Sequence, residues 1–504
     1  MAESEHLKEL LAYLGTKGFI WGPEPEIYGG LAGFYSYGPL GKLLKNNVED
    51  AIRKVFQRNH MFEMECPTVM PANVWKASGH LGGFTDPLIK CSKCKSDFRV
   101  DKLIEEENPD LVVGVTKDEE LLKIVKDEGL KCPNCKGAFD EKIMQHSLMM
   151  KTTIGVDTEA YNRPETATTT YLPFLRYLEF FRDKFPFGVF QIGKAYRNEI
   201  SPRQNVLRGR EFTQAEGQIF IFEEQKNDYE KFEEVSGEKL PLWTEEQQKG
   251  REEPKMVALS EAIEKKLIKT KAYAWTLHLT WELFRNMGIP AERIRFRQHH
   301  SDEKAFYADD AWDLEVKLES YGWYEMCGVH DRTSYDLGQH GKHSGKELVA
   351  RNSKNEKEAP HVLEIAFGTD RPTFALLDIF YEKKSKDEGK TVFKIPYHLA
   401  PVKVAVLPLV NKEGIPELAQ KVHAELSQDF LVVYDKSASI GKRYLRNDEI
   451  GTPYCLTVDF ESLKDGDVTI RDRDSTEQVR VKIDDLNEVL GKLINGKMKF
   501  EELK

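Results

Sequence analysis

Four of the seven cysteines fall in two pairs, Cys91-x-x-Cys94 and Cys132-x-x-Cys135. Paired thiolates at this spacing form the donor set of a tetrahedral structural Zn2+ knuckle, and Lys93, Lys95 and Lys131 offset its charge. Four thiolates leave no open position for water, so such a metal would hold structure only. The alternative is a reduced, metal-free lobe whose cysteines simply pack. Cys66, Cys327 and Cys455 sit in apolar surroundings and read as buried thiols.

A second chemistry lies in the arginines. Lys194-Ala-Tyr-Arg197-Asn198-Glu199 and Arg208-Gly209-Arg210-Glu211-Phe212-Thr213-Gln214-Ala215-Glu216 flank a loop. Two strands joined by that loop would aim Arg197, Arg210 and Phe212 at one surface. Planar guanidinium groups there bind phosphate oxygens bidentately, and an aromatic face stacks on a base. An ordinary hairpin laced with cross-strand ion pairs has the same composition. Further on, Glu364-Ile365-Ala366-Phe367-Gly368-Thr369-Asp370-Arg371 reads as a strand feeding an apolar helix. Arg371 then lies near a helix N-terminus, where free N–H groups and the dipole favour an anion. Otherwise it only pairs with Asp370 or Asp378. No G-x-x-x-x-G-K-[S/T] loop and no G-x-G-x-x-G after a strand occurs, which argues against P-loop and Rossmann enzymes.

These groups need a large scaffold. A chain of 504 residues exceeds one compact core, and 40% hydrophobic residues with ample aromatics exclude wholesale disorder. Leu40, Leu43, Leu44, Val48, Ile52, Val55 and Phe56 share a helix face after Gly38-Pro39, and Met61 to Val69 continues as a strand interrupted at Pro67. Strand-like runs at Val189–Ile192, Glu216–Phe222 and Trp323–Val329 point to an α+β core with a mainly antiparallel sheet. The Glu- and Lys-rich residues 95–131 look like an inserted lobe, and the charged block Glu223–Lys271 like a solvated, helical insertion. Lys383–Thr391 reads as a linker. Beyond Tyr397, runs at Val402–Leu409, Leu418–Leu426, Phe430–Tyr434 and Pro453–Val458 alternate strand and helix, a three-layer α/β domain. The net charge of −11 gives no global field for nucleic acid, so any such contact is local. No run approaches a membrane span and no signal core is evident, so a cytoplasmic protein is expected.

In combination, the Arg-x-Glu strand, the Arg-Glu-Phe strand and the Gly-x-Asp-Arg helix resemble motifs 2 and 3 of class II aminoacyl-tRNA synthetases. The helix from Pro39 and the strand at Pro67 resemble the dimer-forming motif 1. Tyr28-Gly-Gly-Leu-Ala-Gly33, Ser78-Gly-His80, Arg163-Pro-Glu165-Thr-Ala, Arg197-Asn-Glu199-Ile-Ser-Pro-Arg203 and Arg332-Thr-Ser-Tyr-Asp336 are similar to the dimeric glycyl-tRNA synthetases, from about Gly18 to Leu486. Ser439-Ile-Gly-Lys442-Arg443-Tyr-Leu-Arg446 and Val468-Thr-Ile-Arg471-Asp-Arg473 resemble their anticodon-binding domain.

The resemblance implies a catalytic domain over 1–395, with a zinc-knuckle insertion at 82–145 and a charged helical insertion at 222–293, then an anticodon-binding domain over 396–504. It implies activation of glycine by ATP with Mg2+, transfer to tRNA(Gly), and a homodimer. Arg197 would grip the α-phosphate, Glu199 read the adenine amino group, Phe212 stack on adenine and Arg371 hold the γ-phosphate. Asn198, Leu207, Arg208, Gly209, Arg210, Glu211, Glu325, Met326, Gly368, Thr369 and Asp370 complete the expected ATP site, with Glu325 near Mg2+. Glycine would meet Arg99, Glu165, Phe212, Thr213, Gln214, Ala215, Glu216, Glu364, Ile365, Ala366, Phe367 and Gly368, with Glu165, Glu216 and Glu364 gripping its ammonium. Two departures bear on selectivity: Thr168-Thr169 replaces the usual Gln-Gly, and Ala366 the usual Ser. His299-His300, with His340 and His343, reads as surface or ATP-contact histidines, since an i, i+1 pair cannot share a helix face. Lys442, Arg443 and Arg446 would hold tRNA phosphates locally. A non-enzymatic accessory subunit would have lost Arg197, Glu199, Phe212 and Arg371, and a zinc nucleic-acid-binding module would leave the arginine motifs unexplained.

Overall fold

The structure, a computed structural model, describes residues 4–108, 117–200, 202, 204–301, 303–304, 307–383 and 391–503. Helices α1 (Glu5–Lys17) and α2 (Pro39–Arg58) open the chain. Pro39 occupies the first turn of α2, where its missing N–H would find no helical partner anyway. Leu44, Val48, Ile52, Val55 and Phe56 are fully buried along one stripe. Gly41 is required by close approach, since a Cβ would stand 1.8 Å from the Phe19 carbonyl oxygen.

The stripe packs on a sheet of nine strands: β1 (Met61–Met64), β2 (Phe187–Tyr196), β3 (Glu211–Ile221), β4 (Lys239–Trp243), β5 (Lys255–Ala258), β6 (Ile294–Gln298), β7 (Ala311–Leu318), β8 (Gly322–Asp331) and β9 (His361–Gly368). Their spatial order is β5-β4-β6-β7-β8-β9-β3-β2-β1. Pairings are antiparallel except β1 with β2 and β4 with β6. Helices α3 (Lys271–Asn286) and α4 (Asp370–Ile379) share the core under one face with α2. The opposite face carries the cavity described below. The expected α+β class with a mainly antiparallel sheet is what forms.

One expectation needs correction. Residues 222–293 are not a charged helical lobe set apart from the core: β4 and β5 extend the main sheet, and α3 buries Tyr273, Trp275, Leu277, Leu279, Leu283 and Phe284. Charge summed over the whole block hides short apolar runs such as Leu240-Pro241-Leu242, which are buried between exposed Lys239 and half-buried Trp243. Met61–Val69 breaks before Val69, as the proline at 67 leads one to expect, and its two parts join different sheets. β1 stops at Met64, and Val69–Pro71 joins a separate three-stranded sheet, because a proline cannot donate to the ladder.

Strands Thr85–Cys91, Asp97–Arg99 and Phe139–Ser147, with helices Val100–Glu107 and Asp118–Asp127, form a lobe with a small core of Ile89, Val100, Ile104, Leu121, Val125 and Ile143. Of the expected linker, residues 384–390 lie outside the described residues, and its flanks Tyr381–Lys383 and Thr391–Phe393 pair as an antiparallel hairpin. The C-terminal sheet has five strands, β10 (Val404–Pro408), β11 (Val432–Tyr434), β12 (Tyr454–Val458), β13 (Asp467–Asp472) and β14 (Gln478–Lys482), in the order β11-β10-β12-β13-β14. Helix α5 (Ile415–Leu426) contributes to the core on one face, and residues of α6 (Ile440–Ile450) pack against Ala405, Leu407 and Cys455 on the other, giving three layers. Among the described residues no helix is long and apolar enough to cross a membrane.

Candidate active site

Strand alternation decides which expected residues meet. On β3, Phe212, Gln214 and Glu216 point into a cavity of about 520 Å3, as do Ala366 and Glu364 on β9 and Met326, Gly328 and His330 on β8. Thr213, Ala215 and Ile365 fall on the opposite face, against α2 and the core, so they are not cavity residues as expected. Phe367 and Gly368 also border the cavity, as do Leu207, Arg208 and Gly209.

At the open end, Arg197 donates from Nε to the Pro164 carbonyl at 3.1 Å, and its guanidinium lies 5.4 Å from the ring centres of both Phe84 and Phe212. Arg371 donates to the Glu325 carboxylate at 2.9 Å and to its carbonyl at 2.8 Å, not to Asp370 or Asp378. Asp370 is buried beside Lys45 and accepts from the Thr213 N–H at 2.7 Å, which ties α2 to the start of α4. Burial opposes ionisation of Asp370, yet Lys45 holds its carboxyl below the usual range. Glu199 lines the cavity paired with Arg208 at 2.9 Å. Arg99 and Lys102 reach in from the lobe, with Arg99 placed by Asp86 at 3.2 Å and by Asp101.

Four expected ATP residues lie elsewhere. Arg210 donates to the Glu199 and Ala32 carbonyls, both at 2.9 Å, and so braces the loop. Glu211 pairs with Lys194 at the surface, Thr369 is buried against Glu49, and Asn198 is hydrogen-bonded to Leu148. Arg203 lies outside the described residues.

The closed end is acidic. Glu216 accepts from Gln214 at 3.0 Å and from the Thr166 hydroxyl. Burial, with Glu364 and Glu165 nearby, pushes its carboxyl up to about 8. Glu364 accepts from Tyr171 at 2.8 Å and Arg332 at 3.1 Å; burial resists its ionisation, but Arg332 and His330 keep it below the usual range. Glu165 is likewise held down against burial, by His80 at 3.6 Å, by Arg332 and by the Thr168 hydroxyl at 2.8 Å. The departure at Thr168 thus supplies a donor to this carboxylate, whereas Ala366 leaves only a methyl at the wall. Sequence reading quoted His80 and Arg332 without a role. The Arg332–Asp336 pair at i, i+4, bonded at 2.7 and 3.0 Å, was the available signal.

In the lobe, Cys91 and Cys135 bring their Sγ atoms to 3.5 Å, Cys94 and Cys132 to 3.6 Å, and all four lie within 4.8 Å. The two turns repeat one conformation. Cys91 N–H donates to Ser96 and Lys95 N–H back to Cys91, while Cys132 N–H donates to Gly137 and Lys136 N–H back to Cys132, with Lys95 and Lys136 both at positive φ. A Cβ on Gly137 would crowd Lys93 at 2.8 Å and the Cys135 sulfur at 3.2 Å. Cys66, Cys327 and Cys455 are buried thiols, as expected.

Residues 155–380 match the class II core domain of tRNA synthetases (G, H, P, S and T), and residues 403–493 match an anticodon binding domain. The glycine–tRNA ligase of Pyrococcus horikoshii is 40% identical over 98% of this chain and 99% of its own length. That of Methanococcus maripaludis is 39% identical over 93% and 96%. The chain belongs to the glycine–tRNA ligase family. A crystal structure titled as the RNA binding domain of threonyl-tRNA synthetase from Cryptosporidium parvum superposes with a TM-score of 0.59 over 95% of this chain and 97% of that one, at 18% identity, a likeness of fold alone. Within the family's sequence frame, the cavity lies over the class II core and the knuckle lobe is inserted ahead of it.

Proposed function

We propose that this chain is a glycine–tRNA ligase, activating glycine with Mg2+–ATP and passing the glycyl group to the 3′ end of tRNA(Gly). The convergence of Glu165, Glu216 and Glu364 at the closed end of a cavity whose mouth holds Arg197 carries this reading. Three carboxylates suit an ammonium, and the buried floor leaves little room for a side chain. The glycine carboxylate would attack the α-phosphorus of ATP and expel pyrophosphate. It is already a nucleophile, so no general base is required. Arg197 would stabilise charge growing on the nonbridging oxygens, Phe212 stack on adenine, Glu199 accept from its amino group, and Arg371 hold the γ-phosphate with Glu325 beside Mg2+.

Residues 1–395 form the catalytic unit in this reading and 396–504 the tRNA-binding unit, supported by their separate hydrophobic cores. The resemblance of α2 and β1 to motif 1 supports a homodimer, and use of tRNA supports a cytoplasmic setting. The repeated cysteine turns support one structural Zn2+ held by Cys91, Cys94, Cys132 and Cys135, stiffening the lobe that carries Arg99 and Lys102. ATP–pyrophosphate exchange, run with each proteinogenic amino acid, tests the reading. Exchange with glycine alone is expected, and comparable exchange with alanine or serine would overturn it.

A further inference from the structure

One wall of the cavity carries three groups to which amino-acid activation gives no direct contact with substrate. His299 follows β6, Asp313 sits on β7 and His330 on β8, and one ligand atom from each lies within 4.8 Å of the others. His299 Nε2 is 2.9 Å from Asp313 Oδ2, and the imidazole centres are 5.8 Å apart at 77°. Nδ1 of His299 and Nδ1 of His330 are both shielded from solvent, yet no described residue hydrogen-bonds to either. Gly328 forms the floor between them, opposite Asp313 on β7 and Ala366 on β9. A Cβ at Gly328 would stand 2.6 Å from the His330 ring, so the glycine makes the space in which these groups converge.

Two imidazoles and a carboxylate are the donors chosen by zinc and neighbouring first-row ions, whereas magnesium takes oxygens. Asp313 also accepts from Arg297 at 2.7 Å, but Arg297 makes two further bonds to Glu303 at 2.9 Å, so an ion could draw on Asp313 without stranding that guanidinium. We propose that His299, Asp313 and His330 form a divalent-metal site of the zinc and cobalt class, separate from the cysteine lobe, whose occupancy excludes an amino-acid ammonium. The exclusion follows from position: His330 Nδ1 is 3.6 Å from Glu364 Oε1, so the ion and the ammonium would be like charges competing for one acidic wall. That half rests on the glycine reading above; metal binding itself does not.

The test uses the full-length protein with its cysteine lobe loaded with zinc. Titration with Co2+ should add one equivalent whose visible spectrum shows nitrogen and oxygen ligands and no thiolate charge transfer. Saturating glycine should weaken this binding, and Co2+ should inhibit exchange competitively with glycine. Removing one of three ligands should cost at least the ~10-fold in affinity seen for ligand-supporting residues. His330→Ala is the chosen variant because His330 lies at the cavity wall, and His299→Ala repeats the test from another strand. No cobalt beyond the cysteine lobe, or unchanged affinity in both variants, would overturn the site. Equal cobalt binding with and without glycine would overturn the exclusion. Absence of glycine-dependent exchange in protein free of added cobalt would count against the enzymatic reading instead.

Discussion

The two ends of the cavity lie over the same sheet yet handle charge in opposite ways. At the mouth, the guanidinium groups of Arg197 and Arg371 are partly exposed, so a polyphosphate meets ready-made donors. At the closed end, Glu216 and Glu364 are buried with Glu165 beside them, and Arg332 offsets part of their charge. The remaining imbalance is borne by Glu216, which retains its proton to about pH 8. Burial turns the acidic end into a site completed by a cation, whereas the basic end presents guanidinium donors directly to an incoming anion.

The harshest test of the basic end is Arg197→Ala. Its loss should lower adenylate formation by ~100-fold or more, as for removal of one donor to a developing oxyanion, while circular dichroism and Tm stay unchanged. Near-normal exchange by a folded variant would break the assignment. Cys132→Ser probes how the lobe serves the cavity. It should abolish the single bound zinc found by metal analysis and raise KM for glycine by loosening Arg99; unchanged zinc content would reject the cysteine site.

At the acidic end, the ammonium favours ionised Glu216. Below about pH 8 glycine binding must therefore expel a proton, and the apparent affinity should rise ~10-fold per pH unit from pH 6 towards 8, then level off. Calorimetry in buffers of different ionisation enthalpy should report release of about one proton at neutral pH. Glu216→Gln should flatten both responses, and a proton count near zero in the parent protein would show that Glu216 is already ionised.

The smallest effect extends the comparison to the C-terminal domain. Arg443, expected to hold phosphate, is buried and donates to the Pro408 carbonyl at 2.6 Å, whereas Lys442 is exposed and Arg446 pairs with Asp435 at 3.2 Å at the surface. Replacing Lys442 and Arg446 by Ala should raise KM for tRNA a few-fold and reduce its salt dependence by about one phosphate contact each. Arg443→Ala should instead lower Tm, since hydrogen bonds to charged groups contribute about 1.5–3 kcal/mol. A Tm loss from the surface pair, or none from Arg443, would reverse these roles.

Much of this protein is legible in one dimension because local chemistry encodes it. The 3.6-residue stripe of α2, the strand that ends before Arg197, the strand carrying Glu216, and the twin C-x-x-C turns depend on neighbours within a few residues, so periodicity and spacing announce them. The place of segment 222–293 in the main sheet, and the different sheets joined by the two parts of Met61–Val69, are not legible because strand partnership is a long-range choice. β4 pairs with β6 across α3, and β1 pairs with β2 from more than a hundred residues away. The split of the β3 motif, Glu216 into the cavity and Thr213 and Ala215 away from it, follows once a buried face is assigned, and only the packed sheet assigns it. Likewise Arg443 and Arg446 lie three apart on one helix, and tertiary burial alone made one a structural donor and left the other at the surface. Asp313 and His330 on two paired strands and His299 just past a third are brought together by the sheet, and no spacing along the chain could have placed them so.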